Sequence, residues 1–496
     1  MPSTLPSRLL TLSAAALLSA CAQLPPPDPV ALNPQEHQDR ISADRKAVQQ
    51  DVAPIGAELK LDEAIARALK YNLDRRARLL EQNMALQQYQ SGSYDSLPKL
   101  VAAAGYSARD QDHTTRSIDS ITGAPSLANP SISQAREHTL IQLDLSWSLL
   151  DYGLAQYNTQ QAGDRVLAAA ERRRKATHLL VQDVRVAYWR AVSAQKLQDE
   201  VRQALALADD AMVDARRAEE ERLRAPLDSL RYQRQLTENM RLLESIQQEL
   251  ASARFELAAL INAPVTQDLQ LTSSQDLPEK SLLDLSGESM EEMALAQNAD
   301  LREHAYQRRI AAVEARKVLL RAYPNLSFNI GTRYDTDNYL VNPHWNEAGL
   351  NTSINLLNLV ALPAQKRAAE AGIALADQRR LAAHVATVTQ VYVAREQLAG
   401  ARQQFKRSHT LWTFDVRIME QMQLREQAQA GSKLERVAAQ TTAIISLLRR
   451  YQALAQVHAA TSRLQATLGI DPLPDSSDDL TLDQLRTQVR ERLLTY

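Results

Sequence analysis

The chain has 496 residues, with 57 Lys and Arg against 59 Asp and Glu and a formal net charge of −2. That balance leaves no basic excess to meet phosphates, which excludes a dedicated nucleic-acid binder. With 45% apolar and 23% charged residues the chain can bury a core, and its 13 glycines among many alanines favour long helices.

In chain order, residues 9–20 read LLTLSAAALLSA, after Arg8. Twelve helical residues span about 18 Å, short of a bilayer core of about 30 Å, so this run predicts a cleaved export signal over 1–20. It ends Leu18, Ser19, Ala20, Cys21, and Cys21 is the only cysteine. Pro25, Pro26 and Pro27 follow and stop any helix. This stretch resembles the lipobox of bacterial lipoproteins. The resemblance implies a diacylglycerol and acyl lipid, palmitate among them, on Cys21. Ala22, in place of an aspartate, implies sorting to the outer membrane. No other stretch approaches 18 consecutive apolar residues, so no transmembrane helix is expected.

The chain then repeats itself. At an offset of 226, Ala68, Leu69, Asn72 and Asp74 meet Ala294, Leu295, Asn298 and Asp300, Pro98 meets Pro324, and Gly105 meets Gly331. At an offset of 207, Ser148-Leu149-Leu150-Asp151 meets Asn355-Leu356-Leu357-Asn358, and Leu227-Asp228 meets Leu434-Glu435. The pattern reads as an internal tandem duplication, its second half shortened in a loop.

Each half carries strands and very long helices. Period-2 alternation predicts strands near 99–106 and at 140–149, 326–334 and 350–356. The two pairs are joined by polar segments 107–138 and 335–348. Residues 164–225 lack Gly and Pro, and so do 227–263 and 432–468, while 364–430 holds only Gly372 and Gly400. Small or apolar residues recur every 3.5 positions at Leu180, Val184, Ala187, Ala191, Ala194, Val201, Leu205, Ala208, Met212 and Ala215, a coiled-coil seam broken only at Gln198. Pro226 and Gly431 must turn each long helix back on itself. The basic run Arg172–Lys175 reads as a solvated helix face.

Four strands cannot close a barrel, and open edges cannot sit in lipid. Strands in a membrane would therefore require several copies to share one barrel of at least eight strands. The alternative is a soluble sheet packed under helices.

The layout resembles the outer membrane factor family, the TolC-like exit ducts of efflux pumps and type I secretion. The resemblance covers nearly all of the mature chain. It rests on ALxxNxD at 68–74 and the related 294–300, on Pro98 and Pro324 opening the strand pairs, on SLLD and NLLN closing them, and on AxxRLQATLG ending at Gly469. It implies an α+β membrane protein: a trimeric 12-stranded transmembrane β-barrel, four strands per chain, continuous with a long periplasmic α-helical coiled-coil barrel.

The expected division is a signal peptide (1–20), an N-terminal anchor and extended segment (21–58), then the helix (59–97), β-hairpin (98–149) and long helices (150–262) of the first repeat. A linker (263–286) leads to the helix (287–323), hairpin (324–357) and long helices (358–469) of the second repeat, and an equatorial segment (470–496) ends the chain.

The implied function is the outer-membrane exit duct of a tripartite efflux system, passing small molecules or drugs passively. The implied partners are two further copies, a periplasmic adaptor (membrane fusion) protein, an inner-membrane transporter and outer-membrane lipid, with no nucleic acid. Within the same class stands a type I protein or polysaccharide secretion duct, and outside it a periplasmic coiled-coil scaffolding lipoprotein. The location is the outer membrane, lipid-anchored, with a large periplasmic part. No His, Cys or carboxylate cluster has metal-ligand spacing, and no phosphate loop or nucleophile motif is present, so neither enzyme chemistry nor a cofactor is expected. By position, the resemblance places Asp228 and Glu435 at the acidic sites after the closing turns, with Lys433 and Arg224 as pairing cations. A first-turn carboxylate that complements the helix dipole is the plain reading of both acids.

Overall fold

The computed structural model describes residues 31–125, 130–221, 225–267, 269–272, 282–473 and 479–493. The signal segment, Cys21 and Arg224 lie outside the described residues. The chain divides into two units, residues 1–53 and 54–496.

In the first unit, helix α1 (Pro34–Gln49) occupies part of the segment expected to be extended. The reason is local. Asn33 caps the helix by accepting from the Gln35 amide at 3.0 Å, and Pro34 stands at its first position. None of its residues is buried.

In the second unit, the helix expected over 59–97 is two helices, α2 (Leu61–Tyr71) and α3 (Leu73–Ser93). Asn72 breaks them apart. Its backbone is extended, its N–H ends α2 on the Ala68 carbonyl, and its side chain caps α3 through the Arg75 amide at 3.0 Å. The second half repeats this with α6 (Gly287–Gln297) and α7 (Ala299–Leu320), divided at Asn298. Between α3 and α6 come strands β1 (Lys99–Ala108), β2 (His113–Thr115), β3 (Ser131–Gln134) and β4 (Glu137–Ser148), then helices α4 (Leu149–Glu220) and α5 (Pro226–Leu260). After α7 come β5 (Asn325–Asp335), β6 (His344–Ser353), α8 (Leu356–Gln427), α9 (Lys433–Leu468) and α10 (Leu482–Leu493).

The two long helices each have 72 residues, about 108 Å of rise. Helix α4 begins before the Gly- and Pro-free run at 164–225, and α8 before the run at 364–430. Helix α4 passes through Gly153 and Gly163, and α8 contains Pro363 in its second turn. Helix α5 packs back on α4, α9 packs on both α8 and α4, and α7 lies between the sheet-proximal parts of α4 and α8. The predicted seam is the packed face. Val184, Ala208 and Val201 are at most 1% exposed, and at the break Leu197 is buried in place of Gln198.

The four long strands form one antiparallel sheet in the order β1–β4–β5–β6, so the two hairpins join through β4 and β5. Strand β6 starts at His344, not at 350, and Ile354 lies just past its end. Polar and small residues at its start (Asn346, Glu347, Ala348, Gly349) hide the alternation. The polar segment after β1 also holds a short ribbon, β2–β3.

The register places Leu100, Ala102 and Ala104 on the same face as Leu145, Leu143 and Ile141. Phe328, Ile330 and Leu350 continue that face across β5 and β6. The other face carries Gln142, Asp144, Ser146, Asn329, Arg333, Glu347 and Asn351. Helices touch the sheet only where the chain passes from one to the other, and Leu100, Ile330 and Leu350 are each more than half exposed. A sheet packed under helices is therefore not what this chain builds.

Candidate functional site at the helical turns

The far ends of α4–α5 and α8–α9 hold the residues expected at a closing tip, and the two turns are built differently. The first enters α5 through Ala225, which has no side chain to cap with, and Pro226, whose missing N–H is no loss at the first position. Asp228 sits in the first turn, mostly exposed, with its carboxylate 3.8 Å from Arg231 on its own helix. Such a pair contributes little.

The second turn is heavily tied. Gln429 adopts φ 55°, and the Ala430 amide returns to the Arg425 carbonyl at 2.8 Å. Gly431 approaches closely: a Cβ there would lie 3.3 Å from the Arg425 Cβ and 3.4 Å from a Glu435 carboxylate oxygen. Ser432 and Glu435 form a capping box, with the Ser432 amide donating to Glu435 Oε2 at 3.0 Å and the Glu435 amide donating to Ser432 Oγ at 3.3 Å. Arg436 crosses the turn to Glu426 at 2.7 Å.

Lys433 reaches neither Asp228 nor Glu435. Its ammonium pairs with Asp214 on α4, so the second turn is tied to the outgoing helix of the first half. That hydrogen bond raises the Lys433 pKa above the usual lysine value and lowers that of Asp214 below the usual carboxylate value. Below them lies a cleft of about 400 Å³, lined by Ala215, Ala218, Ser229 and Tyr232 among others.

Sequence reasoning missed the belt midway along the helices. Asn72 Nδ2 donates to the Leu260 carbonyl at 3.1 Å, and Asn298 Nδ2 to the Thr467 carbonyl at 3.0 Å. Each asparagine thus ends one helix, starts the next and holds the last turn of the returning helix. The ALxxNxD pattern was the visible signal. Asp62 joins Arg486 at 2.9 Å and Arg490 at 2.5 Å, docking α10 on α2. Burial raises the Asp62 pKa, but its two arginines outweigh that and leave it lowered. Arg185, fully buried, donates to Ser462 Oγ at 2.6 Å and to the Leu493 carbonyl at 2.9 Å, and burial lowers its pKa to about 10. His458 stacks on Trp189, and burial lowers its pKa to about 3. The basic run is solvated at Arg172 and Lys175, whose side chains are 55% and 53% exposed, but its cations also find carboxylates on other elements. Arg172 meets Glu303, Arg174 meets Glu171 and Asp471, and Lys175 meets Asp300.

Among the described residues no three His, Cys, Asp or Glu side chains come close enough to hold a metal ion. No described helix is long and apolar enough to cross a membrane, which says nothing of strands.

No family model matches the sequence, and no curated protein is significantly similar to it. Solved structures do match. The CmeC outer membrane channel of Campylobacter jejuni superposes with a TM-score of 0.65 at 12% identity, over 90% of this chain and 91% of that one. A membrane protein from Pseudomonas aeruginosa gives 0.64 at 17% identity, over 86% and 93%. The Neisseria gonorrhoeae MtrE outer membrane channel, in its open state, gives 0.58 at 16% identity, over 86% and 96%. The fold of this chain is that of the outer membrane factor channels.

Proposed function

We propose that this chain is one of three identical protomers of an outer-membrane exit duct in a tripartite efflux system. One observation carries the proposal. The four-stranded sheet has two unpaired edges, one apolar face and one polar face, and no helix covers either. Only closure by other copies satisfies such a sheet in lipid. The strand directions permit it, because β6 of one copy meets β1 of the next antiparallel. Three copies, as the family resemblance implies, make a 12-stranded barrel, above the eight-strand minimum. Trp147 and Phe328 near one end of the apolar face, and Tyr106 and Tyr334 near the other, suit the two interfaces of a bilayer. The matched spacing of the halves supports a tandem duplication.

In this reading the duct is passive and carries small molecules or drugs delivered by an inner-membrane transporter through a periplasmic adaptor. Acyl chains on Cys21 add a lipid anchor. The tip turns close the duct, with Asp228 and Glu435 as the acidic residues and Lys433 and Arg224 as nearby cations.

The test is native mass spectrometry of the detergent-purified full chain together with planar-bilayer recording. A trimer that conducts is expected. Asp228→Ala with Glu435→Ala is expected to raise single-channel conductance without loss of trimer. A stable monomer, or a protein without conductance in both forms, overturns the proposal.

A further inference from the structure

Away from the strand ends, the polar face of the sheet carries charges in one place only. Between the two ends of the strands, the ionised side chains are Asp144 on β4, Arg333 on β5 and Glu347 on β6, and all three lie on that face. The apolar face between the ends has none. The register explains their proximity. Asp144, Gly331 and Glu347 occupy one cross-strand row, about 13 Å along β4 from its junction with α4 at Ser148. Arg333, two residues further along β5, shares the face and turns back between the acids. Its Nη2 lies 3.0 Å from Glu347 Oε1 and 4.0 Å from Asp144 Oδ1.

Gly331 makes the row possible. A Cβ at that position would lie 2.2 Å from Asp144 Oδ1, so the Asp144 carboxylate occupies the space that a side chain on β5 would fill. Asp144 thereby reaches across the row toward the arginine. The side chains of Asp144, Arg333 and Glu347 are 33%, 30% and 52% exposed, so the cluster is partly wet.

We propose that Asp144, Arg333 and Glu347 form a charge filter within the barrel, distinct from the tip, that favours cationic over anionic solutes. The inference rests on the duct reading, which puts the polar face on the lumen. Two carboxylates against one guanidinium leave one net negative charge per chain at this row. Each copy brings the same row, so the charges fall in a ring. A ring of net negative charge raises the local concentration of cations and lowers that of anions. Arg333 sets the strength of the filter by neutralising part of it. The other charges at strand ends do not share this role. Asp335 is bonded to His138 Nδ1 at 2.7 Å at the rim, and Lys99 stands at the opposite end.

A local probe separates this row from the tip. Asn329 lies on the same face, one same-face position from Gly331 along β5. In the full-length Asn329→Cys protein, reconstituted in vesicles, the thiol is reacted with cationic and anionic methanethiosulfonates. Each rate is normalised to that of a free thiol, and protein without the new cysteine reports any reaction at Cys21. The cationic reagent is expected to react faster. Arg333→Gln should raise the cation-to-anion rate ratio severalfold, because the lost positive charge speeds the cationic reagent and slows the anionic one alike. Asp144→Asn with Glu347→Gln should lower it by a similar factor or more. Reaction with a ratio unmoved by either change overturns the filter and leaves the duct standing. No reaction with either reagent shows that the polar face is not wet, which removes the duct reading and the filter with it.

Discussion

The belt around α2 and α10 and the sheet β1–β4–β5–β6 treat polar groups in opposite ways. In the belt, most buried polar side chains find partners within the chain, Arg185 Nε and Trp189 Nε1 excepted. Arg185, Asp62, Asn72 and Asn298 are all at least nine-tenths buried, and each has partners within the chain. In the sheet, β1 and β6 present unpaired edges and an exposed apolar face. The belt finds most of its partners within one copy, whereas in the proposed duct the sheet is completed by other copies. In that reading the stability of the belt is a property of the chain, and that of the sheet a property of the proposed assembly.

The largest expected effect breaks the sheet. Arginine at Leu143 or Ile330 should destabilise the assembled protein by about 2–4 kcal/mol if these sites face the middle of the bilayer. Arginine at Gln142 or Asn329, on the opposite face, should be tolerated. Urea titration in lipid vesicles reads both, and equal damage on the two faces would erase the distinction between them.

A smaller effect sharpens the belt. His458 is held neutral by burial, with its pKa lowered to about 3, whereas an unfolded histidine titrates near 6.5. The unfolded chain therefore binds the extra proton first. Stability from this group is full above pH 6.5 and falls as pH drops toward 3, by about 2 kcal/mol at pH 5. His458→Gln should remove most of that slope in melts compared between pH 7.5 and pH 5. A slope unchanged by the substitution would mean that other belt groups carry it.

The smallest expected effect concerns one cap. Asn298→Ala removes both the cap of α7 and the bond to the Thr467 carbonyl, and should cost about 1–2 kcal/mol. Asn298→Asp keeps the acceptor and loses only the donor. Its loss in thermal melts should be the smaller of the two, and the reverse order would show that a carboxylate set against the Thr467 carbonyl costs more than the retained cap contributes.

Much of this was legible because periodicity and spacing survive in the residues themselves. Alternation at 140–149 and 326–334 located β4 and β5, and the seam from Leu180 to Ala215 located the face of α4 that packs. What was missed depended on partners distant in sequence. Nothing near Lys433 points to Asp214, and nothing near Arg172 points to Glu303. Gly153, Gly163 and Pro363 lie inside the long helices expected over 150–262 and 358–469, and α4 and α8 run through them, packing and position overriding propensity. The start of β6 was hidden because an edge strand needs little apolar alternation. At the tip, the turns were found at Pro226 and Gly431, but Glu435 serves its own capping box and, among the described residues, Asp228 pairs with Arg231.

Ser148 ends β4 and, with no linker, caps α4. Its hydroxyl accepts from the Asp151 amide at 3.0 Å and donates to Asn325 Oδ1 at 2.7 Å on β5. Between β6 and α8, by contrast, Ile354 and Asn355 intervene. Mechanically, the first junction is a welded shaft and the second a short coupling. A twist applied at the far end of α4 arrives at the sheet as torque on two strands at once, while a twist of α8 meets two residues of compliance first. Any rotation of the two long helices at the turns would therefore reach the sheet unequally, with the joint before α8 the more compliant of the two.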